Sequence, residues 1–179
     1  MNNDKKPVHD YSNWELDFLV EYIVNSHHRY IKTTLMIIID YCKKVIEEDQ
    51  IYSSFVNNLF HNLNMLNHLI YTHMDKEEKI IFPYICSLDR FETTIQEYTH
   101  NNGFDESIQA MFREHREVVK IMQKLENAIF KFELPKNAKG NLKSLIFKLN
   151  EFINDMILHI HIENNILYKK ALIREGQIH

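Results

Sequence analysis

Four stretches of this chain repeat apolar residues at alternating steps of four and three, and each repeat is interrupted by polar side chains at positions that should be buried. The first seam is Val24, His28, Ile31, Leu35, Ile38, Cys42 and Val45. The second is Leu59, Leu63, Leu66, Ile70, His73, Glu77, Ile80 and Tyr84. The third is Ile108, Met111, His115, Val118, Met122, Leu125, Ile129 and Phe132. The fourth is Leu142, Leu145, Leu149, Phe152, Met156, His159, Glu163 and Ile166. Such a period belongs to amphipathic helices. With only 3 Gly and 3 Pro among 179 residues, few turn signals interrupt them.

The pattern predicts an all-α, up-down-up-down four-helix bundle over residues 13–175, behind a flexible tail at 1–12. Helix A runs from about Asn13 to Glu48, and helix B follows a turn at 49–53 and reaches Leu88. Helix C spans about 105–132 and helix D about 138–174, with a turn at 133–137 between them. Residues 89–105 form a linker with a short extra helix or loop, placed to act as a lid. Pro83 lacks an N–H, so a kink is expected near it.

The net charge of -4 and the absence of a basic run argue against nucleic acid as a partner. No apolar run is long enough to cross a bilayer. Residues 1–11 lack the apolar core of a signal peptide, so a cytoplasmic location is expected. Two cysteines, Cys42 and Cys86, are too few for a disulfide framework or a cysteine metal site, and helix geometry separates them too far to pair. The unusual count is the 11 histidines.

His28 and His73 lie equally far from the A–B turn, as His115 and His159 do from the C–D turn. At ~1.5 Å per residue both levels fall about 33 Å from the turns. Glu77 and Glu163 each follow a histidine by four residues and share its helix face. The two hairpins thus repeat one unit, a lone histidine, a turn, then His-x-x-x-Glu, and packing them together brings six polar side chains to one level. Unpaired, each would cost on the order of 1–3 kcal/mol. Four imidazoles and two carboxylates suit first-row metals. Two carboxylates can bridge two ions, leaving open positions of a kind iron or manganese uses and a closed structural zinc does not.

The stretches Tyr22 to His28, His73-Met74-Asp75-Lys76-Glu77-Glu78 with Ile81-Phe82-Pro83, Glu114-His115, and His159-Ile160-His161-Ile162-Glu163-Asn164-Asn165 resemble the hemerythrin-like di-iron proteins. Within these they resemble the repair-of-iron-centres family, over roughly residues 13–172. The resemblance implies two non-haem iron ions, carboxylate-bridged by Glu77 and Glu163 and completed by an oxo or hydroxo bridge. His28 and His73 would bind one iron and His115 and His159 the other. It implies repair of iron–sulfur clusters damaged by nitrosative or oxidative stress, by iron donation or nitric oxide handling. Iron–sulfur proteins would be clients, nitric oxide or oxygen small ligands, and the chain a monomer or homodimer. Nitric oxide reduction is the enzymatic variant of that reading, and iron donation is preferred to it.

An oxygen- or nitric-oxide-binding or sensing protein is the alternative. Oxygen carriers have a second histidine where this chain has Val119, and a His-x-x-x-x-Asp spacing where it has His159-x-x-x-Glu163. A ferritin-like oxidase would be richer in carboxylates, with Glu-x-x-His spacing. Many repair-family members also carry a small N-terminal cysteine-containing domain, where this chain has twelve residues.

Among neighbouring residues, His28 is preferred to His27 as a ligand because the frame of His27 is less apolar. His161 should face outward, as should His61 and His68. Glu78 and Glu114 read as surface carboxylates rather than relays, and Asn164 and Asn165 as hydrogen-bonding neighbours of the ligands.

Overall fold

A computed structural model describes residues 10–48, 50–90 and 103–176, with only the backbone at 89 and 90. Their regular structure is helical. The first arm comprises α1 (Leu16–Tyr22), a π-helical turn (Ile23–His28) and α2 (Arg29–Glu48). The second is α3 (Ser53–Lys76), a π turn (Glu77–Ile81) and α4 (Phe82–Arg90). The third is α5 (Gly103–Lys131). The fourth is α6 (Gly140–Ile162), a π turn (Glu163–Leu167) and α7 (Tyr168–Glu175). Against one another, α2 packs on α3 and α6, α3 on α5, and α5 on α6, which is the expected square bundle. The lid and short helix expected in the B–C linker fall largely on residues 91–102, outside the described residues.

Helix boundaries follow local chemistry. Gly103 takes a positive φ of 72° that other residues rarely adopt, and it opens α5. Asp105 and Glu106 then sit in the first turn, where the helix dipole favours acidic groups. Beyond α5, the N–H of Ala138 bonds to the carbonyl of Pro135 at 3.0 Å and tightens the connection to α6. At the other end, Tyr11–Asn13 form a 3-10 turn, and the Tyr11 ring packs on Trp14 and Tyr22.

The three π turns shift the apolar seams by one residue. A π turn inserts one extra residue into a helix, so the buried face changes phase across it. In the second arm Ile80, expected inside, is 38% exposed, and Ile81 and Ile85 are buried instead. In the fourth arm Leu167 and Tyr168 are buried and Ile166 is only half-buried. In the first arm Ile23 takes the inner position expected of Val24. The third arm has no π turn, and Ile108, Met111, His115, Val118, Met122 and Leu125 stay buried in the expected frame. Near Pro83, the widened turn at Glu77–Ile81 lies where the proline leaves a carbonyl without its usual donor.

Candidate metal centre

His28, His73, Glu77, His115, His159 and Glu163 meet at one level of the bundle, each at most 1% exposed. Three of the four arms reach this level at a π turn: His28 ends one, and Glu77 and Glu163 each begin one. The six residues form two interlocking groups. One comprises His28, Glu77, His159 and Glu163; the other comprises His73, Glu77, His115 and Glu163. Within each group the ligand-capable atoms lie within 4.8 Å of one another, so each can hold a metal ion. This changes the pairing implied by the resemblance. His28 shares its group with His159, not His73, because neighbouring arms α2 and α6 bring those two rings within 5.1 Å. Likewise His73 meets His115 at 4.5 Å across α3 and α5.

The carboxylates belong to both groups, one oxygen to each side. Glu77 Oε2 is 3.3 Å from His28 Nε2, and its Oε1 is 3.0 Å from His73 Nε2. Glu163 Oε1 is 2.7 Å from His159 Nε2, and its Oε2 is 3.1 Å from His115 Nε2. The Nε2 atoms of His28, His73 and His115 are buried without a hydrogen bond, as are Glu77 Oε2 and Glu163 Oε2. Buried polar atoms are normally satisfied, and orphaned nitrogens and oxygens converging on one place fit a cation.

Outside the cluster, three histidines are held by their other ring nitrogen. His28 Nδ1–H donates to Glu78 Oε1 at 2.8 Å, and Lys32 donates to the same oxygen at 2.7 Å. His73 Nδ1–H donates to Glu114 Oε2 at 2.9 Å, and Lys76 donates to Glu114 Oε1. His115 Nδ1–H donates to the Asn164 side-chain oxygen at 2.7 Å. Because an ionised carboxylate only accepts, these bonds place a proton on Nδ1 and direct Nε2 inward. Glu78 and Glu114 are therefore not idle surface carboxylates, as the sequence suggested. They lie at the rim with one side toward solvent and the other on a histidine. Asn164 has the expected bonding role, but Asn165 is exposed and bonds His161, which itself faces outward.

His27 is also buried, yet it turns from the cluster and contacts Asp155 at 3.2 Å, with its ring stacked 5.7 Å from that of His159. His61 and His68 are exposed. Cys42 is buried in the core and Cys86 half-buried, with no disulfide between them. Burial raises the Cys42 thiol to about 12.

Charge in the cluster is balanced internally. Burial opposes protonation of His28, but the close-lying Glu163 and Glu77 carboxylates outweigh it and raise its pKa to about 10. His73 is likewise raised to about 10, where Glu77 and Glu114 overcome burial. Burial acts against the ionised forms of Glu77 and Glu163, and Glu77 feels the Glu163 charge as well. The surrounding histidines nevertheless hold both carboxylates well below their ordinary range. His159 is lowered, with burial the main cause. The His73 hydrogen bond leads the forces that keep Glu114 near 2.

One residue of the centre escaped the sequence reading. Tyr168, fully buried, donates its hydroxyl to Glu77 Oε1. Its ring stacks 6.2 Å from His115. Burial, and then the charges of Glu77 and Glu163, push its pKa far above normal, so the phenol stays neutral and donates. The available signal was its place five residues after Glu163, which matches Phe82 five residues after Glu77.

A four-helix bundle with two buried, histidine-rich groups that share their carboxylates and could each hold a cation defines the class. Residues 20–171 match the hemerythrin HHE cation binding domain, and the chain belongs to that family. It is also similar to iron-sulfur cluster repair proteins called YtfE. The Pectobacterium atrosepticum protein is 27% identical over 158 residues, which are 86% of this chain and 65% of the relative. The Musicola paradisiaca protein is 27% identical over 168 residues, covering 92% of this chain and 70% of the relative. An Escherichia coli relative is 26% identical over 170 residues, with 93% and 70% covered. The chain therefore spans about two thirds of the length of these relatives. Among the described residues, no helix is long and apolar enough to cross a membrane.

Proposed function

We propose that this chain is a non-haem di-iron protein that serves the repair of iron–sulfur clusters damaged by nitrosative or oxidative stress, chiefly by donating iron. His28 and His159 would hold one ion and His73 and His115 the other, with Glu77 and Glu163 shared between the two. The observation that carries the metal reading is the division of both carboxylates, one oxygen to each histidine pair. The names of the similar repair proteins support the use to which the iron is put.

The protein's own part is to keep four nitrogens aimed inward, to keep two carboxylates ionised where water is excluded, and to protect both with apolar residues. Iron bound there supplies redox chemistry and exchangeable coordination. Two protein nitrogens per ion, with shared carboxylates, leave room for exchange. Clients in this reading are cytoplasmic iron–sulfur proteins.

Iron analysis of anaerobically prepared protein should give two irons per chain. Glu77→Leu and Glu163→Leu should lose iron while keeping a helical spectrum. The loaded protein should restore a cluster enzyme inactivated by nitric oxide. Full iron loading without restoration would sink repair and leave the centre standing; an iron-free parent from iron-replete cells would sink both.

A further inference from the structure

The centre contains its own control for the role of one hydroxyl. The two hairpins repeat closely around the cluster. His28 precedes one turn and His115 the other, and Glu77 and Glu163 begin matching π turns. Five residues after each glutamate the π turn ends on a buried aromatic ring. Phe82 follows Glu77 and stacks 5.6 Å from His28; Tyr168 follows Glu163 and stacks 6.2 Å from His115. The N–H of each aromatic residue bonds back to the glutamate carbonyl five residues earlier, so both rings turn toward the cluster level. The two rings differ in one group: the first ends in hydrogen, the other in a hydroxyl.

That hydroxyl contacts Glu77 Oε1. It is the oxygen on the His73–His115 side, whereas Oε2 faces His28. Among the described residues, Glu163 has no such phenol. Its nearest partner is His159 Nε2, which is itself one of the six.

We propose that Tyr168 is a positioning residue that fixes the Glu77 carboxylate and makes the His73–His115 position the tighter of the two for a divalent cation. This rests on the reading of the six residues as a two-cation centre. Once the histidines give their Nε2 atoms to cations, the phenol is the donor left to orient Glu77. Losing it frees a buried carboxylate to turn, and the cost falls on the group that uses Oε1.

The test uses cobalt(II) as the probe, read by its visible absorption, in two backgrounds. His28→Ala leaves the His73–His115 group complete, and His73→Ala leaves the other. Tyr168→Phe should weaken cobalt binding about 10–100-fold in the His28→Ala chain, the range typical of groups that orient a metal ligand. In the His73→Ala chain it should change binding by no more than about twofold, as for uncoupled sites. Equal effects in both backgrounds, or none in either, overturn the assignment. Melting of the metal-free chains checks that each variant folds. Tyr168→Phe in the otherwise native chain, titrated in two steps, gives the same answer if a histidine variant does not fold: only the tighter step should weaken. A phenolate-to-iron(III) absorption band lost in Tyr168→Phe would show the oxygen bound to the metal and overturn the positioning role. Failure of the native chain to bind cobalt at all would overturn the two-cation reading and this inference together.

Discussion

Removing Glu78 and Glu114, singly and together, tests whether the cluster is two positions or one. Each carboxylate holds the Nδ1–H of one inward histidine, His28 at 2.8 Å and His73 at 2.9 Å. Each is also held by a lysine, Lys32 or Lys76. A hydrogen bond to a charged group contributes about 1.5–3 kcal/mol. The side chains of Glu78 and Glu114 are 29% and 24% exposed, so water competes and the lower figure applies. About 1.5 kcal/mol corresponds to roughly tenfold in affinity, at the lower end of what loss of such a partner does to a metal site. His28 and His73 lie in different groups. Glu78→Ala should therefore weaken one step of a two-step metal titration about tenfold, and Glu114→Ala the other. The double variant should show both losses, additive to within about 0.5 kcal/mol. Competition against a chelator of known affinity, done anaerobically with iron(II), measures both steps. If the two single variants weaken the same step, or if neither moves, the division into two positions and the role of the outer carboxylates are both wrong.

In the metal-free chain, the raised pKa values of His28 and His73 contribute stability that is full below the unfolded value of 6.5 and lost as pH rises through about 10. The lowered Glu77 and Glu163 contribute stability that is present above 4.5 and lost as pH falls through their folded values, and the lowered His159 trims the acid side further. Denaturant midpoints against pH should therefore peak in the mildly acidic range and decline toward pH 10; a flat alkaline limb would refute the charge assignment. Metal uptake near pH 7 should release about two protons per chain, from His28 and His73, visible as a dependence of binding heat on buffer ionisation. Phe152→Ala, at a fully buried position of α6, should cost about 3–5 kcal/mol and lower the melting midpoint by roughly 6–20 °C in calorimetry. Cys42 should resist a thiol reagent in the native chain and react on unfolding, because burial holds it protonated and out of reach.

The bundle was legible because four long seams carry one period, and the level of the centre because each pair of histidines is equidistant from its turn. The pairing of the histidines was not, since two rings at one level do not reveal which neighbours meet. That depends on how the hairpins dock, and α2 against α6 decides it. The phase shifts were hidden for a related reason. A π turn leaves both flanking helices with an ordinary period, and Ile80, Ile81, Tyr84 and Ile85 fill either frame with apolar residues. Tyr168 was lost to the same shift, since in an unbroken α-helix the fifth residue after Glu163 points away from it. Glu78 and Glu114 looked like surface because residues adjoining a buried ligand turn outward. Their contacts cross to the next arm, which no spacing within one helix can show.

The placement of the polar layer explains how so much buried charge is tolerated. One apolar cluster fills the bundle on the turn side, with Leu35, Leu66, Met74, Leu125, Phe152 and Met156 among its members. A second, including Leu19, Phe82, Ile85, Ile108 and Tyr168, closes the other end. Between them lie two carboxylates and four imidazoles, each at most 1% exposed, connected outward through Glu78, Glu114 and Asn164. In the metal-free chain the carboxylates can stay ionised only if histidines carry the compensating protons, which is what the raised His28 and His73 do. Two divalent cations bound there would replace those protons and would also satisfy the orphaned Nε2 and Oε2 atoms, which protons alone leave without hydrogen bonds. Metal binding and stability of this layer would then be one free energy, and a chain stripped of metal should loosen first around these six residues.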